Sequence, residues 1–78
     1  MAGVIVRFEN GKLPYESWQQ IEAVAKVYRI TLDCVESNPN GLFLHYAGLD
    51  SEESGNQCGN TILTCVDGVE SYESSPCL

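Results

Sequence analysis

Residues 30–47 read ITLDCVESNPNGLFLHYA, and this stretch decides the fold. Two runs with a period of two, 30–36 and 42–47, flank Asn38, Pro39, Asn40 and Gly41. Apolar residues at every second position mark a strand with one buried face. The four residues between the runs suit a type I turn, with Pro39 at the second position and Gly41 in the left-handed position of a G1 bulge. That turn sets Asn38 opposite Leu42, Cys34 opposite Tyr46 and Val35 opposite His45. The same register gathers Leu32, Cys34, Leu42, Leu44 and Tyr46 on one face, whereas a slip by one residue would mix apolar and polar positions on both.

An apolar sheet face needs a cover, and the chain supplies one just upstream. Trp18, Ile21, Ala25 and Tyr28 recur at intervals of three and four, with Val24 and Val27 widening the stripe and Glu16, Gln19, Ala23 and Lys26 falling opposite. This spacing predicts an amphipathic helix of about four turns. Pro14 suits a first turn, and Ser17 followed by Gln20 has the spacing of a capping box, so the start falls between 14 and 17. Before it, GVIVRF (3–8) predicts a strand ending in a tight turn at Asn10 and Gly11. After the hairpin, DSEESGNQCGN (50–60) is polar, acidic and contains two glycines, which reads as a loop. A second hairpin is expected from 61–66 and 69–72, joined by Asp67 and Gly68, with a frayed tail over 74–78. The expected fold is α+β in a single small domain over 1–78. One amphipathic helix packs on an antiparallel sheet of about four or five strands, in the order β-α-β-β-β-β.

Charge narrows the possible functions. The chain carries a formal −7, and all four basic residues (Arg7, Lys12, Lys26, Arg29) lie in the first 29 positions with three acids, whereas the rest contains eight acids and no Lys or Arg. Binding to nucleic acid replaces counterions with Lys and Arg along one face, and this chain has the wrong sign for it. Anionic lipid would repel the acidic part in the same way. Residues 1–7 hold only a short apolar run without a basic segment before it. The expectation is therefore neither a leader peptide nor a membrane span, and a cytoplasmic location, the host cytoplasm if the chain is phage-encoded.

Four cysteines, Cys34, Cys58, Cys65 and Cys77, contain no C-x2-C pair, so no metal site is expected and free thiols packed as small apolar groups are favoured. A Cys58–Cys65 or Cys58–Cys77 bridge belongs to the alternative of a disulfide-stapled secreted domain. His45 is the single histidine, and the expected register points Cys34 away from it, which speaks against a Cys/His nucleophile. Glu52 with Glu53, and Asp33 near Glu36, are acids in polar surroundings without the apolar enclosure that raises a pKa for acid–base work. Residues 50–61 begin like a calcium loop but place Thr61 where a bidentate Glu is required. No Gly-rich phosphate string with a Lys is present. The chain is accordingly expected to have no catalytic residue and no cofactor.

The reading that survives is a surface role. Asp33, Glu36, Asp50, Glu52, Glu53, Asp67, Glu70 and Glu73 lie in one half of the sequence, where they would form a negative field able to steer a basic protein surface. Phe43 and His45, facing away from the helix with Val35, would add an aromatic anchor beside that field. The expected partner-binding set is Asp33, Glu36, Phe43, His45, Asp50, Glu52, Glu53, Glu70 and Glu73. In size, charge and composition the chain resembles phage-encoded inhibitors of host defence, the anti-CRISPR and anti-restriction proteins. That resemblance implies a non-enzymatic inhibitor or regulator whose partner has a basic, nucleic-acid-binding surface. A small-molecule or nucleotide-binding module formed in an oligomer is the other alternative, and a homodimer through an edge strand or the outer sheet face is a further possibility for so small a core.

Overall fold

The computed structural model describes residues 2–9 and 13–75. The elements run β1 (Ala2–Phe8), α1 (Tyr15–Tyr28), β2 (Thr31–Asn38), β3 (Gly41–Leu49), α2 (Glu52–Cys65) and β4 (Val69–Ser75). One four-stranded sheet has the order β2-β3-β1-β4, with every neighbouring pair antiparallel. Each helix thus connects two strands that run the same way with a third strand lying between them. This is the split β-α-β unit used twice, the connectivity of ferredoxin-like folds. The fold is α+β, with both helices on one side of the sheet.

α1 forms where the spacing predicts it. Pro14, at φ −65, precedes the first turn, and its carbonyl accepts from the Trp18 amide at 3.1 Å. Ile21, Val24 and Ala25 are buried, whereas Val27 is 78 % exposed and lies off the stripe. The expected capping box does not form, because Ser17 is buried inside the helix. Its hydroxyl donates to the Asp67 carbonyl at 2.5 Å, and Gln20 accepts from the Asp67 amide at 2.9 Å. These residues therefore tie α1 to the turn after α2. The helix ends on Arg29 in the left-handed region, φ 58, and the Ile30 amide reaches back to Ala25 O at 3.0 Å in the Schellman manner.

The segment after β3 corrects the expected loop and strand. Residues 52–65 are a second helix, so 50–60 is not a loop and 61–66 does not pair with β4. Ser51 caps it by accepting from the Ser54 amide at 3.2 Å, and Glu52 and Glu53 occupy the first turn, where their charge complements the helix dipole. Gly55, Cys58, Gly59 and Ile62 are its buried face, spaced i, i+3, i+4 and i+7. The glycines permit close approach to the sheet. A Cβ on Gly59 would stand 2.0 Å from the Tyr72 ring, and one on Gly55 2.6 Å from Ser74 Oγ. Asp67 and Gly68 form a turn, but one that joins α2 to β4. Ser74 and Ser75 belong to β4 and not to a frayed tail. The Asn10–Gly11 turn and residues 76–78 lie outside the described residues.

The hairpin of β2 and β3 exists with a different register. Asn38 pairs with Gly41, Ser37 with Leu42, Val35 with Leu44 and Cys34 with His45, one residue away from the expected alignment. The extra residue sits at Asp33, where the ladder is irregular between Leu32 and Cys34, and not at the turn. Beyond it Leu32 pairs with Tyr46. The bulge therefore exchanges the two faces of the strand: Leu32 keeps its expected face, but Cys34 turns to the His45 side and Val35 to the Leu44 side. β2 is an edge strand that projects beyond the helices, which leaves Val35 54 % exposed.

The core lies between the helices and one sheet face. Val4, Val6 and Phe8 from β1, Leu44 from β3, Ile21 from α1, and Cys58 and Ile62 from α2 are all fully enclosed. Burial pushes the Cys58 thiol up to about 11, so it packs as a neutral apolar group. A Cys58–Cys65 bridge is excluded, since the two lie seven positions apart on α2, roughly 10 Å along the axis and beyond the reach of a disulfide. Cys77 lies outside the described residues.

Candidate functional site: the uncovered sheet face

Alternation along the strands sends every second side chain to the face opposite the helices, and no described element covers it. Paired positions across β2, β3, β1 and β4 give one row of Glu36, Phe43, Arg7 and Ser71, and a second of Cys34, His45, Ile5 and Glu73. Ile5 and Phe43 are half-buried diagonal neighbours and form its apolar centre. Ala47 extends that centre toward the far end.

Polar groups frame the centre with defined partners. Arg7 lies between the Pro39–Asn40 turn and β4, its Nε donating to Asn40 O at 2.9 Å and its Nη1 standing 3.4 Å from Glu70 Oε2. On the β2 side, Glu36 Oε2 accepts from Asn38 Nδ2 at 2.7 Å. Its other oxygen, Oε1, is 3.6 Å from His45 Nε2. That nitrogen is enclosed and has no hydrogen-bond partner among the described residues, so the contact is an ion pair only when the ring is protonated. Glu73 stands on β4 opposite Ile5. Among the described residues Arg7 is the only base on this face besides the histidine, and Glu70 already engages it.

The structure brings together five of the nine expected site residues. Glu36, Phe43, His45 and Glu73 share the uncovered face, and Glu70 reaches it through Arg7. Asp33 sits in the bulge at the outer edge. Asp50, Glu52 and Glu53 lie at the start of α2, on the helix side, so the acids do not converge into one patch as expected. Asp67 is at the opposite end of α2, where its side chain accepts from Gln20 Nε2 at 3.3 Å. Sequence reasoning missed Ile5, Arg7 and Cys34 as members of this face. The period of two over β1 already separated Ile5 and Arg7 from Val4, Val6 and Phe8, but the place of Cys34 depends on a bulge that carries no Gly or Pro signal.

Cys34 and His45 are paired across the strands, against the expected register, with the exposed thiol on one side of the ring's strand and the Glu36 carboxylate 3.6 Å from Nε2. The described residues contain no group of three or more His, Cys, Asp or Glu arranged to hold a metal ion. No described helix is long and apolar enough to cross a membrane. The class defined by fold and site is a small α+β protein with a double split β-α-β connectivity and one open sheet face. Compared with protein-family models, curated proteins and solved structures, the chain matches none.

Proposed function

We propose that the chain is a protein-binding module that works through its uncovered sheet face, as an inhibitor or regulator of a partner with a basic surface. The observation that carries this reading is the arrangement of Ile5 and Phe43 as an apolar centre inside a frame of Glu36, Glu70 and Glu73. A desolvated aromatic and aliphatic centre supplies affinity, while framing carboxylates select a positively charged partner and speed encounter. The formal −7 of the chain adds long-range attraction of the same sign. Phage anti-CRISPR and anti-restriction inhibitors act within this class, and the acidic composition supports placing the chain beside them.

The test is affinity capture from a host lysate at low and high salt, with three baits. Wild type and a variant altered on the outer surface of α1, Gln19→Ala, are expected to retain the same protein at low salt and lose it at high salt. Phe43→Ser combined with Glu36→Gln and Glu73→Gln is expected to lose it at both. A partner retained by the triple variant contradicts the reading, as does capture indifferent to salt. Sedimentation of the free protein distinguishes a heterologous partner from a second copy, because a homodimer through this face would dissociate in the same triple variant without any lysate.

A further inference from the structure

On the helix side of the sheet, α1 and α2 pack differently. The glycines bring α2 onto β1 and β4, but the larger side chains of α1 hold it away from β2 and β3. The resulting wedge is a cavity of about 280 Å³, lined by Trp18, Glu22, Ala25, Lys26, Ile30, Thr31, Leu32 and Tyr46. Its walls are mostly apolar and aromatic. Glu22 and Lys26, on the exposed side of α1, bring charge to its mouth.

One polar group in this wall has no satisfied role. Tyr46 is 5 % exposed, and its hydroxyl is enclosed with no hydrogen-bond partner among the described residues. A buried phenol usually finds a partner, because leaving it unpaired forfeits the hydration it had in the unfolded chain. The phenol is pushed up to about 12, by burial first and then by the Glu22 carboxylate and Cys58. The hydroxyl therefore stays neutral at any ordinary pH, and the field it feels from Glu22 is negative. Its free lone pairs suit a positively charged N–H donor.

We propose that this cavity is a binding site for a small organic amine with an apolar or aromatic body. The ammonium group would pair with the Glu22 carboxylate and, with the Tyr46 ring turned so that its enclosed hydroxyl opens into the cavity, donate to Tyr46 Oη, while the body lies against Trp18, Ile30 and Leu32. An aromatic wall and a carboxylate are the usual means of holding such a cation. This site is separate from the uncovered face, being on the other side of the sheet. Its success or failure leaves the protein-binding reading where it stands.

Trp18 is the only tryptophan, so its fluorescence reports on the cavity wall directly. The probes are phenethylammonium, 2-phenylethanol and phenylacetate, which share a body and differ in charge, each at millimolar concentration. The expected result is a saturable change in Trp18 emission with phenethylammonium, weaker with the alcohol and absent with the carboxylate. Glu22→Gln is expected to weaken the amine by about tenfold. Tyr46→Phe is expected to weaken it as well, while melting at the same or a higher temperature than wild type, because it removes an unpaired hydroxyl. A Trp18 signal unmoved by all three probes overturns the proposal. So does equal binding of alcohol and amine, or a Tyr46→Phe variant that melts lower, since that would reveal a partner for the hydroxyl in the free protein.

Discussion

Val4, Val6 and Phe8 alternate along β1 with Ile5 and Arg7, so one strand supplies both a fully enclosed face and a half-open one. The enclosed face meets two helices and contains almost nothing polar. The open face sets Ile5 and Phe43 among Glu36, His45, Arg7 and Glu73. Stability should therefore depend on the first and recognition on the second, which makes the two separable by substitution.

The largest separation is expected between Ile62 and Phe43. Ile62→Ala opens a void under α2 and should cost about 3 kcal/mol in urea unfolding, whereas Phe43→Ser should cost under about 1 kcal/mol and still lose the partner. Equal costs would show that the open face is part of the core. A second contrast lies within the enclosed side. Gly59→Ala drives a methyl group into the Tyr72 ring and breaks the fit that also lets Tyr72 donate to Asn60 Oδ1 at 2.9 Å, for an expected loss of about 2 kcal/mol. In a Tyr72→Ala background the same change should cost much less, a non-additivity that a double-mutant cycle measures directly.

Alkaline titration sharpens the comparison further. Cys58 and Tyr46 both face the enclosed side, and their acid forms are favoured in the folded state, at about 11 and about 12. A raised folded value means that the unfolded chain releases its proton first. The contribution is whole below the unfolded value, near 9 for the thiol and 10 for the phenol, and is lost as pH climbs through the folded one. Denaturation midpoints are expected to fall from about pH 9 upward, and Cys58→Ala should flatten the first part of that fall. The smallest effect is local. Arg29→Gly relieves a left-handed residue at the end of α1 and should raise stability by under about 1 kcal/mol, seen as a small rise in Tm.

The two helices show what was legible in the sequence and what was not. α1 carries large apolar residues at helical spacing, and its position followed from them. α2 has the same length, but two of its four buried positions are glycine, where there is no side chain to make a stripe. The polar, acidic, glycine-containing 50–60 and the run over 61–66 then read as a loop and a strand. The real signal was at its start, Ser51 followed by Glu52 and Glu53, a cap and an acidic first turn. Close packing against Tyr72 and Ser74 overrode the weak helix propensity of glycine, and only the tertiary partner explains why. In the hairpin, the turn was located correctly but the bulge at Asp33 was not, so Cys34 and Val35 were assigned to each other's faces.

Charge teaches a related lesson. The basic residues precede the acidic ones along the chain, but β1 is threaded between β3 and β4 and carries Arg7 to Glu70. Separation in sequence did not become separation in space. Acids at the start of α2 serve the helix terminus, while those on β2 and β4 frame the open face.

Backbone amide chemical-shift mapping of the labelled protein, on addition of the captured partner, tests the central claim most directly. The account predicts perturbations at Ile5, Arg7, Phe43, His45 and Glu73, with Glu52, Glu53 and Gln57 on α2 left unmoved. Shifts confined to α2 or to the outer surface of α1, with the open face silent, would contradict it.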